Sequence, residues 1–163
     1  MSEQKSPGCE GLHLYLNDHL AGSVAAIEML DHLIEHPPED RFGEFFRDLR
    51  NEIYADQQKL SDLIQKVGAE ESAIRKVGAS LAEKFGRAKF GDTGDSVELL
   101  QAVEGLALGI TGKRLLWHSL ETISANFPEL QGVDFDALEQ RARDQFIRLE
   151  TLRMEMTREA FRV

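Results

Sequence analysis

Apolar residues return at three- and four-residue steps through four long stretches of this chain, and that rhythm admits few folds. A helix carrying such a stripe must bury it, and the stripes of other helices are the surfaces that can cover it. Over residues 11–36 the stripe is Leu12, Leu16, Leu20, Ser23, Ile27, Leu30 and Ile34, stopped by Pro37 and Pro38. Residues 39–68 carry Phe42, Phe45, Leu49, Ile53, Asp56, Leu60, Leu63 and Val67, with Gly68 placed to end the helix. A third segment opens after Asp95 and Ser96, either of which can cap it, and continues to about residue 126. Its stripe is Leu99, Val103, Leu106, Ile110, Arg114, Trp117 and Leu120. The fourth segment follows Asp134 through Phe135, Leu138, Ala142, Gln145, Leu149, Leu152 and Met156. The pattern predicts an all-α four-helix bundle.

A chain of 163 residues, 42% of them hydrophobic, suffices for one domain with a continuous core, expected over residues 11–163 behind a flexible tail at 1–10. The formal net charge of -10 opposes nucleic acid and anionic membrane surfaces, so neither is an expected partner. The polar start predicts no secretory signal, and the longest apolar run, near residues 99–110, contains Gln101 and Glu104 and is too polar to span a bilayer. A cytoplasmic protein is the expectation. Cys9 is the single cysteine, which excludes an internal disulfide and a cysteine metal cluster.

Residues 69–95 are too many for a turn, and Ile74, Val77, Leu81 and Phe85 predict a short amphipathic helix within this connector. Two close helix pairs joined by one long crossover form the ferritin-like plan. The strings EIYADQQKL, SLAEKFGRAKF and LALGITGKRLLWHSL carry a resemblance over about residues 11–161 to a bacterial branch of the ferritin-like superfamily. The resemblance implies a fold and brings no activity with it.

Di-iron chemistry in that fold uses a Glu from each of two helices and Glu-x-x-His from each of the other two. Here Glu52 is followed three residues on by Ala55, Asp144 by Ile147 and Glu150 by Arg153, so the histidines are missing. An atypical carboxylate site built from Glu28, Glu52, Asp56, Glu104 and Glu150, holding iron or another divalent metal, is the alternative to the expectation of no cofactor. His32 and His36 share one helix face but lack an acidic partner, and no nucleophile motif or phosphate-cradling loop is present.

Asp56 interrupts an apolar seam, and depth along the bundle selects its partners. Helices rise about 1.5 Å per residue. Pairing the first two segments about the Pro37-Pro38 turn, with residue numbers summing to about 76, sets His19 and Leu20 level with Asp56. A crossover that makes the third segment parallel to the second sets Arg114 at the same level, whereas an up-down-up-down connection separates them by roughly 12 Å at that rise. Folding the fourth segment back about residue 130 adds Gln145 and Phe146. The expected arrangement is a polar core layer, Asp56 paired with Arg114 and completed by His19, Ser23, Glu52 or Gln145.

Along the fourth segment the spacing predicts pairs of Glu139 with Arg143, Asp144 with Arg148, Glu150 with Arg153, Glu155 with Arg158 and Glu159 with Arg162. Gly105, Gly109 and Gly112 each cost about 1 kcal/mol relative to Ala in a helix, and either let another backbone approach closely or line a small cavity near Trp117. Lacking a catalytic constellation, the chain is expected to be a non-catalytic interaction or scaffold module, dimeric through an apolar helix face. Metal binding and small-molecule binding are the alternatives.

Overall fold

The computed structural model of the protein describes residues 7–37, 40–68 and 96–162. The described residues form four long α-helices and two short 3-10 turns, with no strand among them. Helix α1 spans Pro7–Glu35, α2 Asp40–Lys66, α3 Ser96–Ile123 and α4 Phe135–Phe161. None of these helices is long and apolar enough to cross a membrane. The connector helix expected around Ile74, Val77, Leu81 and Phe85 lies outside the described residues, as does the first part of the expected tail.

Local chemistry explains most of the boundaries. Helix α1 starts at Pro7, four residues before the expected start, because proline supplies a helical φ and its missing N–H would lack an intrahelical partner there anyway. The stop comes ahead of Pro37, with the His36 N–H bonded to the His32 carbonyl at 3.0 Å to close the last turn. Gly68 ends α2 in the left-handed region at φ 70°, donating to the Gln65 carbonyl at 3.0 Å. Asp134 caps α4 by accepting from the Ala137 N–H at 3.0 Å. The turns Ser124–Asn126 and Pro128–Leu130 reverse the chain between α3 and α4, and Leu130 is fully buried as a plug beneath the core.

Helix α1 packs chiefly on α2 and α3 chiefly on α4, while α1 touches α3 sparingly. The core divides into two apolar clusters. One holds Leu30, Leu33, Phe42, Phe46 and Leu49 with Leu100, Val103, Leu106 and Leu152. The other holds Leu12, Leu16, Leu63 and Ile64 with Leu116, Trp117, Leu120, Leu130 and Phe135. Each fully buried leucine contributes about 1.5–3 kcal/mol. The first halves of α2 and α3 share one cluster and their second halves the other, so these two helices run parallel. Gly68 and Ser96 consequently lie at opposite ends of the bundle.

Candidate functional site

A polar layer lies between the two clusters. Asp56 falls between Ile53 of the first and Leu60 of the second, and is only 2% exposed. Lys113 Nζ, from α3, donates to Asp56 Oδ2 at 2.5 Å and to Gln145 Oε1 at 2.5 Å. Gln145 Nε2 also donates to Asp56 Oδ2, at 3.2 Å, and the Arg141 guanidinium donates to Asp56 Oδ1. The amide thus bridges acid and ammonium, and both carboxylate oxygens are satisfied, which a buried acid requires. Burial holds the Lys113 ammonium below its ordinary pKa of 10.5, against the opposing pull of Asp56.

Of the expected layer, the structure brings Asp56 and Gln145 together and leaves Arg114 out. Arg114 lies 3.4 Å from Glu139 with its side chain 40% exposed, and Lys113, one residue earlier and about 100° round the helix, takes the inner position. His19 is displaced for a different reason. The contacts Asp31–Arg50, Ser23–Gln57 and His13–Val67 set α1 against α2 about one helical turn beyond the register first expected. His19 instead stacks edge-on to Tyr15 with ring centroids 4.8 Å apart, and burial lowers its pKa from 6.5 while Asp18 opposes the shift. Ser23 accepts from Gln57 at 2.9 Å and donates to the Leu20 carbonyl, outside the layer.

The five carboxylates weighed as metal ligands do not converge. Glu28 is exposed, Glu52 takes Arg148 at 2.5 Å, and Glu104 and Glu150 both meet Arg153, at 3.4 and 2.6 Å. Asp56 is already surrounded by two cations and an amide. Arg148 and Arg41 bond across helices rather than along their own: Arg148 of α4 reaches Glu52, and Arg41 of α2 reaches Glu155 and Glu159 of α4. The pairs Glu139–Arg143 and Glu150–Arg153 form as spacing predicts. Among the described residues, His118, Glu121 and Glu139 bring three ligand atoms within 4.8 Å, but Arg143 at 2.8 Å and Arg114 at 3.4 Å compete for Glu139. The Arg143 hydrogen bond holds the Glu139 carboxyl below its usual range.

Alongside the polar layer, among α1, α2 and α3, opens a cleft of about 450 Å³. Gly22 of α1 and Gly105, Gly109 and Gly112 of α3 line it, with Asp56 and Lys113 also on its surface. A Cβ added at Gly22, Gly109 or Gly112 meets nothing within 4 Å. Gly109 and Gly112 therefore serve no close approach of a second backbone. Their missing side chains widen the cleft. Trp117, also lining it, is 1% exposed, and among the described residues nothing accepts from its indole N–H. A buried donor without an acceptor costs about 1–3 kcal/mol.

Comparison with protein-family models, curated proteins and solved structures finds no match for this chain. Lys113 and Arg141 were missed in the sequence, yet each left a trace. Lys113 keeps helical step with Ile110 and Trp117, and Arg141 has no acid four residues to either side.

Proposed function

We propose that the protein is a small-molecule-binding helical bundle of the ferritin-like type, with an ion-pair layer at the depth where such bundles hold a di-iron centre. The parallel course of α2 and α3 supports the fold reading, because a ferritin-like crossover produces that order. The observation that carries the binding reading is the cleft. Its volume falls within the range of about 300–1,000 Å³ typical of ligand sites, and it combines apolar walls with a few polar groups. The fixed cations Lys113 and Arg141 oppose a metal ion in the layer itself.

Trp117 is the single tryptophan and sits at the cleft, so its fluorescence reports occupancy without a label. Titration with a panel of small apolar and aromatic compounds is expected to give a saturable shift with at least one of them. Gly109→Leu, placed in open space on a helix, is expected to abolish that shift while the far-ultraviolet circular dichroism stays the same. Equal saturable binding by Gly109→Leu would remove the cleft as the site.

A second reading, an interaction module that dimerises, draws on Leu108 and Leu115, which stand 75% and 56% exposed two helical turns apart on α3. Sedimentation that yields a monomer at high protein concentration would exclude it.

A further inference from the structure

We infer that the cleft is built for an amphipathic acid, a small carboxylate with an aliphatic or aromatic tail, whose head group is held by Lys113 Nζ. This rests on the cleft reading above and specifies its ligand. Lys113 lines the cleft from α3, its side chain 13% exposed. An ammonium has three N–H donors. Two are engaged by Asp56 and Gln145, which leaves one for a further acceptor. A spare donor on a cation matches a carboxylate oxygen.

Charge argues the same way. Asp56 is one anion facing two cations, Lys113 and Arg141, and the Arg141 Nε is buried without an acceptor among the described residues. With Glu52 paired to Arg148 and Arg141 part-exposed, the layer carries one positive charge in excess, and its Lys113 member is largely buried, where an uncompensated charge is costly. A bound carboxylate balances it. Of the other titratable groups on the walls, Asp18 is exposed, while the lowered pKa of His19 keeps its ring neutral at neutral pH. Ile53, Leu60, Leu106 and Leu116 supply the apolar wall for a tail.

Decanoic acid and decan-1-ol form a matched pair, alike in chain length and different in the charge of the head. Binding of each is followed by Trp117 fluorescence and by calorimetry at pH 7. The acid is expected to bind about tenfold more tightly than the alcohol, the gain of a charge-assisted hydrogen bond. Lys113→Met, checked for fold by circular dichroism, is expected to remove that difference. Equal affinity of wild-type protein for the two compounds would overturn the acid reading while leaving the cleft reading intact. Binding of neither compound would overturn the acid reading, and the cleft reading would then rest on the wider panel. Since the comparison of head groups is made on the wild-type chain, it holds even if Lys113→Met fails to fold.

Discussion

Asp56 on α2 and Lys113 on α3 meet at 2.5 Å across 57 residues of sequence, at equal depth on two helices that run in the same direction. Arg141 and Gln145 of α4 close the layer from the other side. The contact therefore ties the α1–α2 pair to the α3–α4 pair at one defined rotation.

Removal of the shared carboxylate leaves the largely buried Lys113 ammonium facing the part-exposed Arg141 guanidinium with no anion between them. Asp56→Asn is expected to cost about 3–5 kcal/mol in urea unfolding, and Lys113→Met less, because Arg141 and Gln145 still serve Asp56. The double variant should lose less than the two single losses combined, with a coupling of roughly 0.5–3 kcal/mol. Strict additivity would exclude the contact. Arg114→Ala, next in the chain but on the outer face, should leave stability unchanged within error.

The lowered pKa of Lys113 fixes the sign of a pH effect. Between that lowered value and the ordinary 10.5, the unfolded chain binds more protons than the native one, so stability rises with pH across that window. Urea unfolding from pH 8 to 10.5 is expected to show this rise, with a shallower slope in Lys113→Met. His19 acts in the same sense at lower pH, its lowered pKa costing stability as pH falls below 6.5. His19→Gln should reduce the loss between pH 6.5 and 5, and an unchanged pH profile would count against a buried ring.

Gly109 sits exposed in the middle of α3 with open space where a Cβ would go. Gly109→Ala is expected to raise stability by about 1 kcal/mol in urea unfolding, through helix propensity alone. A loss of stability would mean that the space is filled in solution.

Metal analysis by mass spectrometry is expected to find no stoichiometric iron or zinc after purification, and added Fe(II) under oxygen should oxidise no faster than in buffer. The reason is that arginines or Lys113 engage Glu52, Asp56, Glu104 and Glu150. One bound metal per chain would overturn this.

The four helices were legible because their stripes are long and their ends are marked by Pro37, Gly68 and Asp134. A buried acid on α2 was legible too, since Asp56 stands where the seam needs an apolar side chain. Its partner was not. Helix α3 is apolar almost all round, with Leu108 and Leu115 exposed, and glycines at 109 and 112 remove the side chains that would fix its phase. Lys113 and Arg114 both fit such a stripe, and only packing against α2 and α4 separates them. The cleft was equally hidden, because a glycine in sequence reads the same whether a backbone approaches it or nothing does.

The division of the core by charge also bears on how the chain reaches this state. Each helix hairpin can collapse through contacts near in sequence, which form fast, whereas Asp56 must find Lys113 and Arg141 across 57 and 85 residues. A hairpin docked one turn out of place would strand Asp56 and Lys113 in hydrocarbon, so the layer proofreads assembly by making the near-miss costlier than the gap.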